Sequence, residues 1–174
     1  KRDLYKLENI SDKFNKIGSK PKFVLVDINL IIGDVIDYYR SKLPKSNNID
    51  LNYKTSINTV TQIEGDSILL YWAFENIVKN SIDSLKNDNG NICVEIFESD
   101  NKIKILFKDN GLGINRNNKH NIFKPGFSTK SKGWGIGLNL SKRIIEYMHK
   151  GKLKLIKSNS KETVFEVTLN FSIS

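Results

Sequence analysis

The chain has 174 residues, 39% of them hydrophobic, and its 28 Lys and Arg against 19 Asp and Glu give a formal net charge of +9. That length suits one domain with its own core and excludes a second full one, while no run approaches the ~18–20 uninterrupted apolar residues of a membrane span. One cysteine, Cys93, and two histidines, His120 and His149, exclude an internal disulfide and a clustered thiolate or imidazole metal site, so any metal is expected on oxygen.

The lysines are scattered along the chain among asparagines rather than gathered into a stripe interleaved with aromatic residues, which argues against a nucleic-acid partner. A start at Lys1-Arg2 without an initiator Met is expected of a piece cut from a longer protein.

Leu7, Ile10, Phe14 and Ile17 form the apolar seam of a helix over residues 3–18, stopped by Gly18 and Pro21. Phe23–Val26 reads as a short strand. Asp27 or Asn29 can cap the next helix, which carries Ile28, Ile32, Val35, Ile36, Tyr39 and Leu43 on one face. Strands are predicted over Ile49–Thr55 and near Val60–Ile63, then a long helix from Ser67 to about Lys86. After the turn signal at Asn87–Gly90 come paired strands over Asn91–Glu98 and Lys102–Lys108. A polar, glycine-punctuated stretch from Asp109 to Gly137 is too long for a connector. A helix over Leu138–His149 and strands over Lys152–Lys157 and Thr163–Leu169 finish the chain. The order predicts an α/β fold, a two-layer sandwich with a mixed β-sheet and helices on one face, preceded by a short amphipathic helix.

Three segments carry chemistry. In the long helix, Asn80 lies about 40° round from Asn76 and Asp83 about 20° to the other side, so three polar side chains share a stripe opposite Ala73, Ile77 and Leu85. Such a stripe offers oxygen to a hard cation like Mg²⁺; alone, it reads first as a solvated polar face. Asp109-Asn110-Gly111-Leu112-Gly113-Ile114 places an acceptor at a strand end beside glycines that admit a close ligand. Gly133-Trp134-Gly135-Ile136-Gly137-Leu138 runs into a helix, as loops that cradle phosphate do. It comes late in the chain and after a loop, which excludes a dinucleotide-type βαβ turn.

In this order the segments resemble the ATP-binding domain shared by histidine kinases, gyrase-type topoisomerases, mismatch-repair ATPases and Hsp90 chaperones, the GHKL superfamily with its Bergerat fold. The resemblance covers residues 22–170. Asn76–Asp83 looks like the N box, Asp109–Gly113 like the G1 box, Ile122–Lys130 like the F box and Gly133–Gly137 like the G2 box. It implies ATP and Mg²⁺ as cofactors. Asn80 would ligate the metal, with Asn76, Asp83 and Lys130 beside it, and Asp109 would accept from the adenine amino group. Thr163 would help hold adenine, although Glu162 stands where the family has glycine. Phe123 and Phe127 would anchor a flexible lid over residues 115–134, expected to bury little. Lys130 would reach the phosphates, and Gly111, Gly113, Ile114, Ser128, Thr129, Gly133, Gly135, Ile136, Gly137 and Leu138 would line the nucleotide.

Hydrolytic members, and the anti-sigma serine kinases, usually carry a glutamate base four residues before the metal-binding asparagine; here that residue is Asn76, whose amide takes no proton at neutral pH. The resemblance therefore implies a histidine kinase catalytic domain over residues 21–174. Residues 1–20 resemble the end of the dimerisation and phosphoacceptor hairpin, whose histidine is absent, so the fragment is expected to be inactive alone for autophosphorylation. Its expected partners are that hairpin in the full-length protein and a response-regulator receiver domain, with no membrane contact by this segment and a cytoplasmic location. A hydrolytic Bergerat-fold ATPase and a nucleotide-binding pseudokinase module are the alternatives.

Overall fold

The alternation read from the sequence folds into a five-stranded mixed sheet and a separate two-stranded ribbon. The computed structural model describes residues 20–44, 48–56, 62–85, 89–130 and 133–171; the helix expected over residues 3–18 lies outside them. Strand β1 (Val24–Asp27) leads into helix α1 (Ile28–Lys42), capped by the Asp27 carboxylate, which accepts from Asn29 N at 2.8 Å. Asn29 is thereby the second residue of the helix and not its cap.

Strand β2 (Asn48–Thr55) precedes β3 (Gln62–Gly65), which turns back to pair antiparallel with β1 as the ribbon. Helix α2 (Ser67–Ser84) follows, its first-turn amides at Ile68 and Leu69 capped by the Asp66 carboxylate. Strands β4 (Asn89–Ser99) and β5 (Lys102–Asp109) form a hairpin whose two turn residues, Asp100 and Asn101, both have φ near +57 (56 and 57), the tight turn that fits strand twist. Helix α3 (Gly137–Lys142) continues as a π-helical turn over Arg143–Met148, and strands β6 (Lys152–Ser158) and β7 (Thr163–Asn170) close the fold.

The large sheet has the order β2-β4-β5-β7-β6, with β2 and β4 parallel and the other pairs antiparallel. On β6 one extra residue, Ile156, falls between the pairs Leu155–Phe165 and Lys157–Val164, a β-bulge. The helices cover one face of the sheet. Helix α2 is central: it contacts α1, α3 and β5, and Leu69, Leu70, Ala73, Phe74, Ile77 and Val78 are buried along it. Phe74 stacks at a tilt on Phe107 of β5, ring centroids 5.9 Å apart. Each such large side chain contributes about 1.5–3 kcal/mol by leaving water.

His149, just past the π-helical turn, is buried. Its Nδ1 lies 2.8 Å from the Ile144 carbonyl and its Nε2 accepts from Asp66 N at 3.0 Å, while its ring stacks on Phe23. Burial, partly offset by the Ile144 carbonyl and the Asp66 charge, depresses its pKa, so the imidazole is a neutral brace between the end of α3 and the start of α2.

Candidate functional site

The buried stripe of α2 does not stay apolar to its end. Ser81 continues it, 1% exposed, and its hydroxyl donates to Asp109 Oδ2 at 2.9 Å. Ser84 Oγ and Gly111 N both approach Oδ1 at 3.0 Å. Asp109, at the end of β5 and 4% exposed, thus accepts three hydrogen bonds. Burial raises its pKa, and the bonds from Ser81, Gly111 and Ser84 offset this only in part. Gly111 is needed there for space, because a side chain would run into the Ser84 hydroxyl and carbonyl.

Strand register brings further polar groups to the same end of the sheet. Asp109 is paired with Thr163 on β7, and Thr163 with Ser158 on β6. Ser158 Oγ lies 3.2 Å from Thr163 Oγ1 and accepts from Ile114 N at 2.8 Å. All three side chains of this row are buried.

The second stripe of α2 faces cations. Lys130 Nζ lies 3.0 Å from Asp83 Oδ2 and 3.3 Å from Asn80 Oδ1, and Lys79 Nζ lies 2.9 Å from the same Asp83 oxygen. Burial pushes the Asp83 carboxyl up, but hydrogen bonds from the two ammonium groups, with their charges, carry it below the ordinary carboxylate value. One turn earlier, Asn76 Nδ2 is buried without a hydrogen-bond partner among the described residues. A β-carbon on Gly137 would sit 3.2 Å from Asn76 Oδ1, so the helix start of α3 closes on that amide. Glu75, the carboxylate next to Asn76, accepts from Tyr39 Oη at 2.9 Å; burial first, and then this neighbour, raise the phenol's pKa.

Between β5 and α3 the chain is more firmly held than its composition suggests. Ile122 is buried, and Phe123 meets Phe165 edge-to-face at 6.2 Å with its carbonyl accepting from Asn139 Nδ2. Lys119 Nζ donates to Ser158 O at 2.7 Å. The expectation that residues 115–134 bury little is therefore wrong for the part up to Phe127, which also packs on the core. Beyond it, Ser128 Oγ accepts from Lys130 N, Thr129 and Gly133 are exposed, and Trp134 is 58% exposed. Gly126 N donates to Gly135 O, and Gly135, at φ 65, lies so close to the Gly126–Phe127 peptide that only glycine fits. Gly113 lies against the Asn159 carbonyl, and Ile114, Ile136 and Leu138 are half-buried against the core.

The structure thus brings Asn76, Asn80, Asp83 and Lys130 to one side of α2 and Asp109 and Thr163 to its C-terminal side. It adds Ser81, Ser84 and Ser158, which sequence reasoning missed. The only signal for Ser81 was a hydroxyl at i+4 and i+7 on an otherwise apolar stripe.

These residues fit a purine nucleotide with a divalent cation. A carboxylate has about four acceptor positions; Asp109 uses three, leaving one for an exocyclic amine. The Asn76 amide is a donor without an acceptor. The Lys130 ammonium, held by Asn80 and Asp83, is a stand-in showing that these oxygens accept positive charge. Among the described residues no three His, Cys, Asp or Glu form a metal cluster, and no helix is long and apolar enough to cross a membrane.

The sequence profile of the histidine kinase-, DNA gyrase B- and HSP90-like ATPase family matches residues 65–173. Sporulation kinase E of Bacillus subtilis (strain 168) is 32% identical over 174 residues, covering 96% of this chain and 22% of that protein. The sensor histidine kinase ZraS of Escherichia coli (strain K12) is 30% identical over 173 residues, covering 94% of this chain and 36% of its own length. The chain therefore spans about a fifth to a third of these relatives. Among solved structures, the nucleotide-free catalytic domain of histidine kinase ThkA superposes with a TM-score of 0.76 at 28% identity, covering 86% of this chain and 95% of that one. With the buried Asp109 row at the sheet end, the amide stripe of α2 and the glycine turn before α3 in the positions that the profile spans, the chain belongs to the histidine kinase-, DNA gyrase B- and HSP90-like ATPase family, as a catalytic ATP-binding domain of the histidine kinase type.

Proposed function

We propose that this domain binds Mg-ATP between α2, the Asp109 end of the sheet and the 115–134 lid, and donates the γ-phosphoryl group to a histidine on a separate helical hairpin. The observation that carries this reading is the pairing of Asn76 with a tied Glu75. The residue beside the glycine turn is an amide that takes no proton, and the neighbouring carboxylate is engaged by Tyr39. A water molecule finds no base there, whereas an imidazole is already a nucleophile.

In this reading Asp109 and Thr163 select adenine, and Asn76 and the turn Gly133–Gly137 face the phosphates. Asn80 holds Mg²⁺, with Asp83 beside it, and Lys130 moves from those oxygens to the phosphates. Mg²⁺ supplies neutralisation of the charge on the transferring group. Ile114, Ser128, Thr129, Ile136 and Leu138 line the path between base and phosphate, and Phe123 and Phe127 seat the lid. Residues 1–20 are the end of the phosphoacceptor hairpin, and a response-regulator receiver domain takes the phosphoryl group onward. Support for that partner comes from ThkA, whose structure is of a complex with response regulator protein TrrA and shares this fold at TM-score 0.77. The dependence on ATP puts the domain on the cytoplasmic side.

The test is transfer of labelled phosphoryl from ATP to an added phosphoacceptor hairpin, run beside hydrolysis. Transfer with hydrolysis well below one turnover per second, under the ~1–10³ s⁻¹ of working enzymes, is expected. Brisk hydrolysis points to the ATPase alternative, and nucleotide binding without transfer to any cognate hairpin points to a pseudokinase module.

A further inference from the structure

The outer side of α3 carries a groove that meets the nucleotide reading only at the anchored half of the lid. It has a volume of about 670 Å³ and runs between the anchored half of the lid and the π-helical turn. Its floor is Phe123 and Met148, and its walls are Lys124, Lys142, Arg143 and Tyr147. Asn139 and Arg143 lie about 160° and 120° round the helix from Gly137, the residue that meets Asn76. The groove therefore opens away from the nucleotide.

Its charge is one-sided: three cationic side chains line it, and no carboxylate does. Lys142 is partly spoken for, since its Nζ sits 3.6 Å from Glu146 Oε2 and 4.7 Å from the centre of the Phe123 ring. Glu146 is itself turned to the Leu153 backbone, accepting its N–H at 3.1 Å. Arg143 and Lys124 are exposed and make no ion pair with a described residue. Tyr147, 72% exposed, is the most exposed large hydrophobic side chain among the described residues.

The backbone gives an independent indication. Arg143, Tyr147 and Met148 all stand on the π-helical turn, where His149 N bonds to Ile144 O, five residues back. Such turns are rare and concentrate where a helix presents functional side chains. Here Arg143 and Tyr147 stand on the widened turn and line the groove.

We propose that this groove is a docking site for an acidic protein segment that places one apolar side chain on the Phe123–Met148 floor and its carboxylates on Lys124 and Arg143. A neutral apolar segment would leave the cations facing it unpaired. A nucleic acid needs several stacking surfaces along a basic track, and the groove offers only the exposed rings of His120 and Tyr147. Occupancy is compatible with bound nucleotide because the two sites use different faces of α3. The floor residue Phe123 also holds the lid, through its carbonyl bond from Asn139, so the occupant bears on the lid's fixed half.

The experiment is an NMR titration of the ¹⁵N-labelled chain. The probe is a short synthetic peptide of glutamates flanking one phenylalanine, with the same peptide carrying glutamine for glutamate, and an oligothymidylate, as comparators. The glutamate peptide is expected to shift the amides of Lys124, Arg143 and Tyr147. The variant R143E should bind it about tenfold or more weakly, as for loss of a central charged contact, with ATP affinity unchanged. Equal binding of the glutamine peptide, shifts centred elsewhere, no binding at millimolar concentration, unaltered affinity in R143E, or tighter binding of the oligothymidylate at these residues would each overturn the proposal. ATP affinity, measured in parallel, keeps this outcome separate from that of the nucleotide site.

Discussion

Asp109→Asn separates what this side chain does for the fold from what it does for a ligand. In the fold, Oδ1 takes two donors, Ser84 Oγ and the Gly111 N–H, and Oδ2 takes one, Ser81 Oγ. The Gly111 N–H cannot be reversed, so the asparagine must keep its oxygen on that side and turn its NH₂ toward Ser81. The Ser81 hydroxyl can rotate to accept, and every group remains paired. Charge-assisted bonds become neutral ones, at about 1 kcal/mol each, but the cost of burying a charge is removed, so unfolding free energy should change by no more than about 1 kcal/mol. The ligand meets the opposite situation, because the NH₂ now points at the adenine amino group. One bond to a charged acceptor is lost and two donors face each other, about 2–4 kcal/mol together, which is roughly thirty- to seven-hundred-fold in affinity. Guanine presents a carbonyl there, so the preference for ATP over GTP should narrow or invert. Calorimetric titration with both nucleotides, beside urea unfolding, reads both sides. Undiminished ATP affinity in a variant of wild-type stability would refute the assignment. Protonation of Asp109 mimics the substitution. Its pKa is raised by burial, so ATP affinity should fall on acidification through that raised value, and the pH dependence should be absent in the variant. The stability term has the other sign: a carboxyl raised in the folded state contributes below its unfolded value of about 3.9 and loses that contribution as pH rises through the folded one.

Three further outcomes follow from the geometry. His149 has a depressed pKa, so its contribution to stability is present above the ordinary imidazole value of about 6.5 and is lost as pH falls through it; His149→Gln should flatten the urea midpoint between pH 7 and about 5, and an unchanged slope in that variant would count against the brace. Gly135→Ala forces a side chain onto the Gly126–Phe127 peptide at positive φ, costing about 1 kcal/mol or more in backbone strain alone. Proteolysis after Phe127 should then be faster and no longer slowed by Mg-ATP, whereas wild-type protection would show that the lid does not need this contact. Lys130→Ala removes one of two ammonium groups from Asp83, so Mn²⁺ without nucleotide should broaden the Asn80 and Asp83 amides more than in the wild type; identical broadening would mean that the lysine does not guard those oxygens.

Local periodicity was enough to expose the parts of the site that lie within one element. The stripe Asn76, Asn80, Asp83 follows from helical geometry, and Asp109 at a strand end beside glycines from the order of strand and turn. The rest depends on contacts that sequence spacing does not carry. Ser81 and Ser84 acquire a role only because α2 crosses the end of β5, 28 and 25 residues away. Ser158 enters only through the pairing of β6 with β7. His149 sits where a charge would suit a helix end, yet the fold closes over it and makes a neutral ring the favourable form. The lid was read as loose because its composition is polar; Ile122 and Phe123 are two apolar residues in it, and two are enough to pin its first half. The widening of α3 leaves no mark that a pattern of apolar residues can register.

The extra residue on β6 has a bearing on how this pocket can change. Up to Leu155 the pairing of β6 with β7 is regular; continued with Ile156 paired in the ladder, it would set Lys157 opposite Thr163 in place of Ser158. Side chains alternate across a sheet, so it is the looping-out of Ile156 that sets Ser158, and not Lys157, at the buried edge beside Thr163 and Asp109; deleting Ile156 would straighten the strand and leave the hydroxyl in place. The polar row at this end of the sheet thus depends on strand register as well as on residue identity: a slip of β6 by one position would put an ammonium where the hydroxyl now stands.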